Sequence, residues 1–179
     1  MNAKLSRFLL LPFIVTLISS FAAFASEVSS PESSGGIFKY STDPSISLQQ
    51  KDVYNTIIRY QNALNSGDTK TILSLFSKES FSQWNNLLTA DTNEKRKSQY
   101  DDLFSKEKFK TDFAFDTIWI NGDTAVVRTH HHVGSVVTNF KEQKTIIDLN
   151  REVFVLKKVN SAWKIFLYTF NTNPLQGVS

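Results

Sequence analysis

The chain has 179 residues, 41% of them hydrophobic, no cysteine, and a formal net charge of +3 from 20 basic and 17 acidic residues. That is enough for one domain with a sizeable core and too little to argue two, and the missing cysteines exclude a disulfide framework, a thiol nucleophile and a lipid-modified cysteine. Without Lys4 and Arg7 the balance is 18 basic against 17 acidic residues, interleaved along the chain, which excludes the dense basic face that nonspecific nucleic-acid binding needs.

Lys4 and Arg7 precede an uncharged run, and Ala23-Phe24-Ala25 has the small-x-small pattern that signal peptidase reads. Residues 1–25 are therefore read as a signal peptide cleaved after Ala25, which predicts export to a periplasm or beyond. The run from Phe8 to Ala25 has 18 residues, the low edge of a spanning helix, so an uncleaved membrane anchor is the alternative. Pro12, Ser19 and Ser20 favour cleavage. Residues 26–47 are rich in Ser, Gly and Pro and read as a flexible tether, or as a segment folded back through Ile37, Phe38 and Tyr40.

From Leu48 to Ser66, Val53, Ile57, Tyr60, Ala63 and Leu64 recur at steps of three and four and predict an amphipathic helix. Gly67 can close it in the left-handed conformation and Asp68 can cap a second, short helix carrying Ile72, Leu73, Leu75 and Phe76. The Ser/Lys/Glu cluster at 77–80 ends that helix. A third helical region is expected over residues 81–108, with Trp84, Leu87 and Leu88 and then Tyr100, Leu103 and Phe104 as apolar sets split by Asp91-Thr92-Asn93. The run Glu94-Lys95-Arg96-Lys97 is read as a solvated helix face.

The remainder is β-structure. Strands are expected over residues 113–120, 124–138, 145–158 and 163–172, with turns at Asn121-Gly122 and Asn160-Ser161. Four strands in succession imply an antiparallel meander, and helices gathered before it imply an α+β domain with the helices packed on one face of the sheet.

Alternation along the strands assigns the faces. Phe115, Trp119, Val127, His131, Ile165 and Leu167 form the expected inner wall. Ile118, Val126, Phe166, Tyr168 and Phe170 form an expected apolar outer face, for which a homodimer through the sheet is the economical cover. In His130-His131-His132 only the outer two share a strand face, and a metal would need a third ligand that the sequence does not place, so no metal or other cofactor is expected. His131 is either a satisfied core histidine or a ligand-contacting acid or base. No Gly-x-Ser-x-Gly elbow, phosphate-cradling glycine loop or zinc-protease helix occurs in the sequence.

The order helix, Gly-Asp break, short helix, third helix and curved sheet ending in Trp163-Lys164-Ile165-Phe166 and Pro174 resembles the nuclear transport factor 2 like superfamily. Within it the likeness is to the ketosteroid isomerase and SnoaL-type polyketide cyclase group, over residues 48–174. The resemblance implies a cone-shaped, cystatin-like roll with a pocket between helices and sheet, and often a dimer. The run Arg59-Tyr60-x-x-Ala63-Leu64-Asn65-x-Gly67-Asp68 places Tyr60 where ketosteroid isomerase has its oxyanion-binding tyrosine. It places Trp84, which cannot accept a proton, at the position of the general base. A second, protonated carboxyl donor would fall between Asp148 and Glu152, both otherwise ordinary strand charges. Tyr60 is equally read as a core tyrosine with a satisfied hydroxyl.

The expectation is thus an exported domain, with residues 175–179 as a tail. It binds a small apolar or amphipathic molecule through Tyr60, Trp84 and the inner wall, or a protein partner, without catalytic machinery. An isomerase, cyclase or hydratase using Tyr60 and His131 is one alternative, and a membrane-anchored scaffold subunit of a secretion-type complex is another.

Overall fold

The computed structural model describes residues 38–172. The expected signal segment, the tether as far as residue 37, Pro174 and the tail lie outside the described residues. Among the described residues no helix is long and apolar enough to cross a membrane.

Helix α1 spans Pro44–Ser66. It starts four residues before the expected Leu48 because Asp43 caps it, accepting from the Ser45 and Ile46 amides, and Pro44 occupies the first turn. Phe38 packs against the core ahead of it. The helix stops at Gly67, where φ is +68°. The Gly67 N–H donates to Leu64 O and the Asp68 N–H to Ala63 O, the paired bonds of a Schellman closure. Asp68 then caps α2 (Thr69–Leu75) by accepting from the Thr71 amide at 2.9 Å. Two helices and the break between them follow from this one stretch.

The next segment departs from the expected helix. Residues Phe76–Gln83 form strand β1, parallel to the last strand of the chain, residues 84–91 form a loop, and only Asn93–Lys106 is helical as α3, capped by Thr92. Trp84, Leu87 and Leu88 have helical spacing, but Asn86 takes a positive φ of 62° and Ser82 pairs with Ala90. The pairing that makes β1 a strand comes from β8, Phe76 with Ile165 and Gln83 with Thr169, and leaves no local periodicity.

A five-stranded sheet has the order β1-β8-β7-β4-β3, with β3 Phe113–Asn121, β4 Thr124–His131, β7 Asn150–Val159 and β8 Ala162–Thr172. The expected long second and third strands are each broken. Beyond His131 the chain turns through Gly134 (φ +103°), and β5 (Val136–Asn139) joins β2 (Glu107–Lys110) and β6 (Lys144–Ile147) in a second, three-stranded sheet. The two breaks lie side by side, since the Asp148 amide donates to Ser135 O at 2.9 Å. The result is α+β, with the helices against a curved, largely antiparallel sheet.

Polar residues on α1 pin it to the sheet. Asn65 exchanges two hydrogen bonds with the Thr111 backbone, Gln61 accepts from the Phe113 amide, and Gln50 donates to Ile118 O. Each satisfies a backbone group that burial would otherwise strand, at a cost of about 1–3 kcal/mol.

Two bulges decide which side chains face the helices. Asp116 has no partner on β4 between the pairs Phe115↔Thr129 and Thr117↔Arg128, and Phe166 has none on β7 between Ile165↔Leu156 and Leu167↔Val155. An extra residue reverses the alternation beyond it. Ile118 and Tyr168, expected outside, are therefore buried, while Trp119, expected on the inner wall, is 51% exposed and Leu167 leaves the core.

Candidate functional site

Helices, loop 84–91 and the two sheets enclose an open cavity of about 300 Å³, at the small end of ligand-pocket sizes. Tyr60, Trp84, Tyr100, Phe109, Tyr168 and Phe170 give it an aromatic wall, and His131, Asp148 and Glu152 a charged end. Of the residues expected to line a pocket, Tyr60, Trp84 and His131 do so. Phe115, Val127 and Ile165 lie in the core beneath it, and Trp119 and Leu167 are elsewhere. Of the expected dimer face, Val126 and Phe166 remain half-buried on the outer side, Ile118 belongs to the core, and Tyr168 and Phe170 line the cavity.

The charged end is built by strand register. Thr129 on β4 faces Glu152 on β7, and its hydroxyl donates to Glu152 Oε2 at 2.8 Å. Two residues further along the same face is His131, with Nε2 2.5 Å from Glu152 Oε1. The kink between β6 and β7 brings Asp148 to the other ring edge, with Oδ1 3.1 Å from Nδ1. All three side chains are almost fully buried, so Asp148 and Glu152 are not the ordinary strand charges expected from the sequence. Burial opposes charge on His131, but the hydrogen bonds and charges of Asp148 and Glu152 outweigh it and push its pKa up to about 9. The imidazole is thus a cation at neutral pH with both nitrogens directed at carboxylates, which removes it as a general base. The second oxygen of Asp148, Oδ2, is buried with no hydrogen-bond partner among the described residues.

The three histidines have different environments. His130 Nδ1 lies 2.9 Å from Asp116 on the outer face, and His132 Nδ1 lies 2.9 Å from Val133 O. No group of three His, Cys, Asp or Glu arranged to hold a metal occurs among the described residues.

The aromatic wall carries hydroxyls. Tyr60 OH and Tyr100 OH are 2.6 Å apart, and the Tyr60 and Tyr168 rings lie 5.2 Å apart. Burial first, then the neighbouring phenols and, for Tyr60 and Tyr168, the charge of Glu152, hold all three well above the usual phenol range, so they remain protonated. Trp84 Nε1 is buried without a hydrogen-bond partner among the described residues.

Loop 84–91, which forms part of the rim, is held by Arg96. This residue was expected on a solvated face, yet it is fully buried beside Tyr100, one helical turn along. It donates to Ser82 Oγ, Asn93 Oδ1, Ser80 O and Oγ, and Ala90 O, and its guanidinium lies 4.1 Å from the Phe76 ring centroid. Every hydrogen-bond partner is neutral. A guanidinium fork can serve this many acceptors where an ammonium cannot.

Sequence reasoning missed Arg96 and the cavity role of Tyr100, put Tyr168 on the outer face, and left Asp148 and Glu152 open between a carboxyl donor and ordinary strand charges. A buried pair four apart, Arg96 and Tyr100, was the one local signal. The others depend on the bulges and on the kink between the two sheets.

By sequence, neither a family model nor a curated protein matches the chain. Solved structures do match. A ketosteroid isomerase-like protein from Erwinia carotovora atroseptica is 17% identical with a TM-score of 0.64, covering 68% of this chain and 94% of its own. An NTF2-like protein of unknown function from Pseudomonas putida is 11% identical with a TM-score of 0.59, covering 72% and 88%. A Nostoc punctiforme protein of unknown function with a cystatin-like fold is 14% identical with a TM-score of 0.58, covering 79% and 100%. At these identities the likeness is one of fold. The chain has the NTF2-like, cystatin-like fold that the resemblance implied.

Proposed function

We propose that this domain binds a small amphipathic molecule, with its apolar body among the cavity's aromatic side chains and a hydrogen-bond donor directed to the charged end. The observation that carries this reading is the open cavity itself, in which an aromatic wall meets the buried Asp148 and its unsatisfied Oδ2. A buried acceptor without a donor is costly, and a ligand donor removes that cost. Native mass spectrometry of the purified protein, with NMR titration of the Trp84 indole resonance by 2-indanol, tests it. Retained compound is expected, or a saturable shift abolished by Val137→Trp, which fills the cavity from a lining position on β5. The absence of both a retained compound and a shift overturns the proposal.

A second reading, proton transfer, is favoured by the three protonated phenols sharing a cavity with Asp148 and Glu152. Tyrosine hydroxyls can polarise a carbonyl while a carboxylate takes the neighbouring C–H proton. Because His131 is a clamped cation, the base in this reading is a carboxylate. Deuterium exchange into 2-indanone, accelerated by the protein and slowed by Tyr168→Phe, would support it. Exchange at the rate of buffer alone would exclude it for this probe.

Export and self-association complete the proposal. Export is supported by the first 25 residues, and intact mass of the mature chain tests it. Self-association is supported by the apolar outer face around Trp119, Val126 and Phe166, and light scattering tests it.

A further inference from the structure

The acidic side chains at the cavity are Asp148, Glu152 and Glu107, and the one basic side chain among the described lining residues is His131. His131 lies between Asp148 and Glu152, so the cluster it forms with them keeps a formal charge of minus one, and Glu107 adds another. No lysine or arginine is among the described lining residues. Six aromatic side chains form much of the rest of the wall, beside neutral residues such as Asn85, Asn86 and Asn150, and the negative faces of such rings attract cations, most strongly where water is excluded. Asp148 is 6% exposed, and its Oδ2 has no hydrogen-bond partner among the described residues.

We infer that the ligand of this cavity is a small organic cation, a primary or secondary ammonium on a cyclic or aromatic body, whose N–H donates to Asp148. This inference rests on the proposed ligand-binding reading and names the ligand's charge. A neutral alcohol could supply the donor, but it would leave the excess negative charge unanswered. An anion of the same shape would meet like charge at the charged end of the cavity. The ammonium supplies both the donor and the charge, and charge-assisted hydrogen bonds are roughly twice as strong as neutral ones.

Three matched probes test this: 2-aminoindane, 2-indanol and indane-2-carboxylate, titrated at pH 7 and low salt while the Trp84 indole resonance is followed by NMR. The amine is expected to bind about tenfold more tightly than the alcohol, a difference of about 1.4 kcal/mol, and the carboxylate most weakly. Asp148→Asn should remove most of the amine's advantage over the alcohol. Glu107→Gln, at the half-buried rim, should reduce the preference in a variant whose fold does not depend on the buried cluster. If alcohol and amine bind equally, or the carboxylate binds best, the cationic inference fails while ligand binding stands. If none of the three shifts the resonance, the cationic inference fails, and ligand binding fails with it when native mass spectrometry also finds no retained compound.

Discussion

The hydroxyls of Tyr60 and Tyr100 lie 2.6 Å apart at the floor of the cavity, joining the first long helix to the third across 40 residues. In the isomerase-like reading Tyr60 would present its hydroxyl to a ligand. Here that hydroxyl already has a buried partner. Tyr60→Phe should keep the ring packing against Phe113, Phe154 and Tyr168 while stranding the Tyr100 hydroxyl, at a cost of about 1–2 kcal/mol. Urea denaturation should show that Tyr60→Phe and Tyr100→Phe together cost less than the sum of the two alone, and strict additivity would rule the pair out as an energetic unit.

Stability should fall as pH rises through the range in which His131 deprotonates. Its folded pKa of about 9 lies above the ordinary 6.5, so the native state holds the proton more tightly than the unfolded chain. The contribution is fully present below pH 6.5 and is lost as pH approaches and passes 9, a change on the order of 3 kcal/mol. Asp148 and Glu152 are the groups that face the ring. Urea unfolding of the wild type and of His131→Gln from pH 6 to pH 10 isolates this term as the difference between the two curves, and a difference constant with pH would remove the clamped-cation account.

Arg96→Ala should be among the most damaging single substitutions in α3, at about 3 kcal/mol or more, because it leaves buried acceptors at Ser80 and Ala90 without donors and opens a void beside Phe76. Lys95→Ala, at an exposed pair on the same helix, should cost under about 1 kcal/mol. Hydrogen exchange should find the amides of loop 84–91 loosened in the Arg96 variant alone, and equal protection in both variants would contradict its role in holding the rim.

The turn joining β7 to β8 offers a stabilising change. Asn160 and Ser161 both have positive φ, 48° and 65°, the geometry of a tight hairpin turn that favours Asn-Gly. Ser161→Gly should raise stability by about 0.5–1 kcal/mol, read as a higher midpoint in urea. A lower midpoint would show that the serine is held there by something other than turn geometry.

Local chemistry determined a good deal of this protein. The stripe from Val53 to Leu64, the Gly67-Asp68 punctuation, the Asn160-Ser161 turn and the turn after β3, which is Gly122-Asp123 and so one residue later than expected, operate within a few residues, so α1, α2, the hairpins and the α+β class could be read in advance. The cavity's composition could be read only in part. Tyr60, Trp84 and His131 are there, but the segment Phe76–Gln83 is a strand because of β8, and the bulges at Asp116 and Phe166 exchange the faces of Trp119 and Ile118 and of Leu167 and Tyr168.

Such bulges arise from how neighbouring strands register and twist, and alternation within one strand carries no trace of them. Likewise, Asp148 and Glu152 look like surface charges until the kink between the two sheets places them on either edge of His131. The sequence by itself determined α1, α2, the hairpins and the class of fold, because those depend on near neighbours. The tertiary structure alone decided the charged end of the cavity, because only long-range pairing brings together His131, Asp148 and Glu152 and buries them where each must answer the others' charge.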